Sequence, residues 1–215
     1  MGIEQVSLHI ASNIGERLNK TEEEIAVIKY GLFVMLHTSL IMIVTLIVGI
    51  VTDSVKEIMT ISLCSAMLKR YSGGVHASSP TRCLVIGVSM STMLTLTCNF
   101  LALRLNSKEL ILVLIIGLII SYFVLYKRSP IGSKQKPLKN IEKRKILRKK
   151  SFKVMNIYSI AIISLYGMYV AFNNNYIKAI CISILFGALI QIFALSKMGE
   201  SIIKGIDRLL DLGHH

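Results

Sequence analysis

The chemistry-bearing residues of this 215-residue chain gather in one stretch, Lys69-Arg70-Tyr71-Ser72-Gly73-Gly74-Val75-His76-Ala77-Ser78-Ser79-Pro80-Thr81-Arg82-Cys83. A histidine and a cysteine act as base and nucleophile if their side chains meet, because the thiolate is the species that attacks a carbonyl. On one unbroken helix His76 and Cys83 would share a face yet stand about 10.5 Å apart along the axis, too far for a hydrogen bond. The chain therefore has to break between them. Gly73-Gly74 admits a turn closed to other residues, and Pro80 pushes Ser79 into an extended conformation. Ser79 then serves as an N-cap, Pro80 takes the first helical position and Cys83 falls fourth. Free N–H groups and the positive end of the helix favour a thiolate there, with Arg82 adding charge. His76 can fold back to take the thiol proton and later return it to a leaving group. By residue type alone, Cys83 also reads as a small packing residue at the head of an apolar helix.

The elements that must position this stretch are membrane helices. With 53% hydrophobic and 17% charged residues and a mean hydropathy of +0.62, the chain is too apolar for a water-soluble domain of its size. Six apolar runs stand out: Gly31 to Val51, Val55 to Leu68, Cys83 to Leu103, Leu110 to Tyr126, Val154 to Phe172 and Ala179 to Leu195. Each must be helical, since a lone segment in lipid has to satisfy its own backbone polar groups. The expected fold is an all-α integral membrane protein forming one membrane domain over residues 1–215. Residues 1–30 are its surface segment, 31–126 its first four spans with the connection 69–83, and 127–153 a basic loop. Residues 154–195 supply the last two spans, and 196–215 a tail whose final histidines resemble a tag remnant. No room is left for a separate soluble catalytic domain. The second run is short, about 21 Å of helix against a hydrocarbon core of about 30 Å, which predicts that the connection after it is recessed. Ile3, Val6, Ile10, Ile14 and Leu18 recur at spacings of three and four, so residues 3–19 predict a helix lying on the membrane or on the ends of the spans.

The net charge of +13 is not a nucleic-acid footprint, because residues 127–153 alone carry twelve Lys and Arg against the single Glu142. A basic block between apolar runs reads first as a cytoplasmic loop. If all six runs cross, both termini are cytoplasmic, the inner segments hold 21 Lys and Arg and the outer connections four, in keeping with the positive-inside bias. The 69–83 connection is then on the cytoplasmic side of the cell membrane. Of the four cysteines, Cys64, Cys98 and Cys181 lie within apolar runs without C-x-x-C spacing, which argues against a disulfide framework. No cleavable signal is evident, since a polar, mixed-charge segment precedes the first apolar run.

Arg70, Gly74, His76 and Cys83, in the order R-x-x-x-G-x-H-x6-C between two apolar segments, resemble the AgrB family of accessory gene regulator proteins. Ser129-Pro130, then Lys136-Pro137-Leu138 and a run of Lys and Arg, is similar to that family's basic loop. The hydropathy profile is similar over nearly the whole chain, the tail Ser196 to Gly213 excepted. The resemblance implies a membrane-embedded cysteine endopeptidase of bacterial quorum sensing, with Cys83 as nucleophile and His76 as base. Such a protein cuts the C-terminal part from an AgrD precursor peptide through an acyl-enzyme thioester. A Cys or Ser of the precursor then closes a thiolactone or lactone ring, giving an autoinducing peptide. The precursor's acidic tail would meet Lys136, Lys139, Lys143, Arg144 and Lys145, although topology alone, or contact with anionic membrane lipid, also accounts for that block. No cofactor or metal is implied. A homodimer is, with Gly167 and Gly187 able to admit close helix contact.

The residues leave the supporting roles open. Gln191, near the cytoplasmic end of the last span, and Arg70 are candidates to donate to an oxyanion, or Arg70 only anchors its helix end. Gly73, Gly74 and Ser79 shape the turn. Asp53 falls on the outer side and cannot reach His76. His37, within the first span, reads as a packed, hydrogen-bonded residue. The rival function is a nonenzymatic small-molecule transporter or channel, but the internal repeat common in that class is missing. A metal site of His76, Cys83, Cys64 and His37 lacks ligand spacing, and neither G-x-S-x-G nor H-E-x-x-H occurs.

Overall fold

The computed structural model describes residues 3–74, 79–132 and 140–212, and among them eight helices and no strand. They divide into two compact units, Met1–Val44 and Thr45–His215, with the division falling inside the second helix.

In the first unit α1, Ile3–Arg17, is followed by the start of α2, Glu22–Val51. A reciprocal pair of hydrogen bonds opens α2: the Thr21 N–H donates to the Glu24 carboxylate at 3.0 Å, and the Glu24 N–H donates to the Thr21 hydroxyl at 3.4 Å. The helix thus starts nine residues before the apolar run. The buried positions of α1 are Ser7, Ala11 and Gly15, spaced by four, and a side chain at Gly15 would collide with Ile25. The aliphatic residues of the expected face, Ile3, Val6, Ile10 and Ile14, flank this seam half-buried, and Leu18 is exposed. Small residues take the tight seam because they let backbones approach closely.

The second unit is built around α7, Asn175–Leu195, which packs against α3 (Val55–Ser72), α4 (Pro80–Arg104), α5 (Ser107–Arg128) and α6 (Ile141–Phe172). A helix apolar on every face belongs in an interior, and α7 is buried along most of its length. Its closest approaches fall at glycines. A Cβ on Gly187 would lie 2.6 Å from the Ile61 carbonyl of α3, and one on Gly117 of α5 would lie 2.8 Å from the Leu185 side chain. The hydroxyl of Tyr158 on α6 donates to the Cys64 carbonyl of α3 at 2.7 Å, tying a third helix to the pair. The outer faces of α4, α5 and α6 expose large aliphatic and aromatic residues, as lipid-facing surfaces do.

Among the described residues five helices are long and apolar enough to cross a membrane: α2, α4, α5, α6 and α7. The sixth apolar segment is α3, whose 18 residues include a polar last turn, Lys69 to Ser72, so its apolar part is as short as the sequence predicts. One expected boundary is corrected. The basic segment 127–153 is not one loop, because α5 runs on to Arg128 and α6 already begins at Ile141. Lys, Arg and Glu are good helix formers, and Asn140 caps the new start by accepting from the Glu142 and Lys143 N–H groups at 2.8 and 3.2 Å. The tail is helical as α8, Lys197–Leu212, with the Ser196 hydroxyl accepting from the Gly199 N–H at 2.9 Å to start it.

Candidate functional site

Two chain ends face the 75–78 connection, and each is fixed by local chemistry. The first is the end of α3. Gly73 lies at φ 69° and Gly74 at φ 132°, backbone conformations that L side chains rarely adopt. The Gly73 N–H donates to the Lys69 carbonyl at 3.0 Å and so closes the last turn. Any Cβ on Gly73 would strike the Ile131 carbonyl, and one on Gly74 would stand 3.2 Å from the Gln191 amide nitrogen. Both glycines are therefore required by contact as well as by φ.

Ser72, fully buried, links this end to two distant segments. Its hydroxyl donates to the Leu68 carbonyl at 2.9 Å, and its own carbonyl accepts from the Ile131 N–H at 3.0 Å, part of an isolated parallel bridge between Gly73 and Ile131. Gln191, 1% exposed, reaches the same turn from α7, its amide nitrogen donating to the Ser72 hydroxyl at 2.9 Å and to the Gly73 carbonyl at 2.5 Å. The Ile131 strap is anchored in turn. Ser129 and Ser151 share a hydrogen bond at 3.0 Å, and the Ser151 hydroxyl donates to the Arg148 carbonyl at 2.8 Å. Sequence reasoning named Gln191, Gly73 and Gly74 but missed Ser72 and Ile131. Ile131 acts through its backbone and carries no residue-type signal, whereas Ser72, a hydroxyl on the last turn beside the glycines, could have been noticed.

The second end is the start of α4. Ser79 is extended at φ −126° and ψ 154°, its hydroxyl accepts from the Arg82 N–H at 3.2 Å, and Pro80 opens the helix. The Cys83 N–H donates to the Ser79 carbonyl at 3.0 Å, which puts Cys83 in the first turn, where it is half-buried with a free thiol. Gly74 and Ser79 are five peptide units apart, so their α-carbons lie within about 18 Å of each other. The three remaining cysteines differ in setting. Cys98 and Cys181 are buried within the bundle, donating to the Ala179 and Ile162 carbonyls, and Cys64 lies along α3.

The other expected residues fall as follows. Arg70 is exposed, its guanidinium 5.8 Å from the Tyr71 ring centre, and Lys150 stands over the same ring at 5.9 Å. Lys143, Arg144 and Lys145 are exposed on the first turns of α6. Lys145 joins Arg148, Lys149, Phe152, Lys153 and Asn156 around an open depression of about 520 Å³. Asp53 is exposed at a left-handed position before α3, the opposite end of that helix from Gly73. In the first unit His37 stacks on Phe33 at 5.8 Å between ring centres. His76, Lys136 and Lys139 lie outside the described residues.

These apolar helices, five of them able to cross a bilayer, fit a multi-pass helical membrane protein. The chain belongs to a known family of such proteins: accessory gene regulator B, AgrB, which matches it over residues 7–195. Two relatives come from Clostridium perfringens and are named by their likeness to AgrB. AgrB-like protein 2 of strain 13 (Type A) is 29% identical over 209 residues, covering 95% of this chain and 96% of its own. The AgrB-like protein of strain SM101 (Type A) is 27% identical over 206 residues with the same coverage. No solved structure matches the chain. Family membership implies involvement in the peptide processing of agr quorum sensing, with an AgrD-like precursor as substrate.

Proposed function

We propose that this protein is a cysteine endopeptidase embedded in the bacterial cytoplasmic membrane, with Cys83 as nucleophile and His76 as general base. His76 takes the thiol proton as the sulfur attacks the scissile carbonyl of an AgrD-like precursor. The carbon–nitrogen bond breaks, His76 returns the proton to the departing amine, and the N-terminal part of the precursor remains on Cys83 as a thioester. A thiol or hydroxyl of that same peptide then attacks the thioester carbonyl. Its ester bond replaces the one to Cys83, the ring closes as a thiolactone or lactone, and the proton it loses restores the Cys83 thiol.

The observation that supports this reading above all is the capped start of α4: Ser79, five peptide units after Gly74, caps the helix and so puts Cys83 in its first turn. Helix-start N–H groups and the dipole favour an anion there. The exposed cations at Lys143, Arg144 and Lys145, with Lys136 and Lys139 before them, would hold the acidic tail of the precursor by charge. Both termini and the site would face the cytoplasm, and two copies would pair in the membrane.

The test uses purified protein in lipid and a precursor whose ring-forming Cys or Ser has been replaced. With no internal acceptor, the cleaved peptide should accumulate as a mass adduct on Cys83. An adduct on another cysteine, or wild-type cleavage by Cys83→Ser, would overturn the assignment.

A further inference from the structure

Gln191 lies 118 positions beyond Gly73, yet its side chain is the one whose amide nitrogen reaches both Ser72 and Gly73 at the turn before His76. The Gly73 carbonyl can only accept, so the amide nitrogen must face it. The Ser72 hydroxyl already donates to Leu68, so it accepts from Gln191. Both amide hydrogens are thereby committed to the turn, which leaves no donor on that nitrogen for an oxyanion. The contact is buried, where an unpaired amide or carbonyl is costly, and the Gln191 amide lies against Gly74, where it resists rotation of the turn.

We infer that Gln191 is a positioning residue: from the central helix it fixes the direction in which the chain leaves the Gly73-Gly74 turn, and through that sets where His76 stands relative to Cys83. The inference rests on the His76–Cys83 reading above. It assigns Gln191 a role different from oxyanion donation, and it gives α7, which carries neither the base nor the nucleophile, control over the distance between them. Two features make the role specific. The turn has no side chain of its own with which to hold a direction, since both of its residues are glycines. The other ties act before the glycine carbonyl, the Ile131 N–H on the Ser72 carbonyl and the Gly73 N–H on the Lys69 carbonyl, and at the Gly73 carbonyl itself Gln191 makes the short contact, the Ser72 hydroxyl standing farther off at 3.4 Å.

The test needs no precursor. Iodoacetamide alkylates a thiol through its thiolate, and peptide mass spectrometry reports the rate at Cys83 separately from half-buried Cys64 and buried Cys98 and Cys181. In lipid-reconstituted protein at neutral pH, His76→Ala should slow alkylation of Cys83 by about 10²-fold, as removal of a general base does. Gln191→Met keeps the length and burial of the side chain but cannot donate. It should slow alkylation by about three- to tenfold, the range that one net hydrogen bond supports. Added to His76→Ala, Gln191→Met should change nothing further, because a residue acting only through His76 has nothing left to position. A wild-type rate in Gln191→Met, or a further fall in the double variant, overturns the inference and leaves the His76–Cys83 pair standing. An unchanged rate in His76→Ala overturns the pair itself, and the inference with it. If Gln191→Met fails to fold by gel filtration, Ser72→Ala decides. Loss of its acceptor should slow alkylation about twofold or more and again vanish in the His76→Ala background, and any other pattern overturns the inference.

Discussion

The Cys83 N–H donates to the Ser79 carbonyl at 3.0 Å, the first intrahelical hydrogen bond of a helix that Ser79 also caps with its hydroxyl. Nucleophile candidate and cap are thus one structural unit, and changing either tests the other. Cys83→Ser keeps the shape but offers a hydroxyl in place of a thiol. Cleavage of the precursor should fall to background while its binding survives, as read by co-purification. His76→Ala should cost about 10²- to 10⁴-fold near neutral pH and less at high pH, where hydroxide replaces the missing base. Cys98→Ala and Cys181→Ala, far from the helix start, should keep cleaving.

Ser79→Ala removes the acceptor for the Arg82 N–H. Loss of an N-cap costs about 1 kcal/mol, so thermal melting in detergent should shift downward and cleavage should weaken, with Ser79→Asp restoring both. If Ser79→Ala matches wild type in both measurements, the cap does not hold Cys83 in place.

Gly73→Ala meets two obstacles at once, a φ of 69° and the Ile131 carbonyl. Strain of that backbone kind costs on the order of 1–3 kcal/mol, and the collision adds to it, so a lowered melting temperature and lost cleavage are expected. Gly87→Ala, where an added methyl meets nothing within 4 Å, is the control and should behave as wild type.

Lys143, Arg144 and Lys145 stand exposed on the first turns of α6, so any hold on an acidic tail is open to screening over about 8 Å at physiological ionic strength. Replacing all three by Gln should raise KM for the precursor more than it lowers kcat, and the difference should shrink as salt is added. An unchanged KM in correctly inserted protein would leave those charges a role in topology alone.

The orientation of the spans is tested by single cysteines offered to a membrane-impermeant thiol reagent from outside intact cells. Asn174→Cys, at the start of α7, should label, and Lys139→Cys should not. Labelling at Lys139 would sink the six-segment arrangement with a cytoplasmic basic segment.

Much of this protein was legible in its sequence because the decisive rules are local. A segment in lipid must satisfy its own backbone, so the apolar runs predicted six apolar helical segments, five of which are long and apolar enough to cross a membrane. Ser79-Pro80 predicted the start of α4, and Gly73-Gly74 predicted a turn at the end of α3. The start of α6 was missed because hydropathy marks where a chain meets lipid, whereas a helix of Lys, Arg and Glu continues into water once Asn140 caps it. What the chain could not express locally is pairing between distant positions. That α7 rather than another apolar helix is central follows from the fit of Gly187 on Ile61 and of Leu185 against Gly117. That Gln191 holds Gly73, and Ile131 holds Ser72, depends on three segments meeting at one buried turn, whose glycine carbonyl must find a donor and has no side chain of its own to supply one.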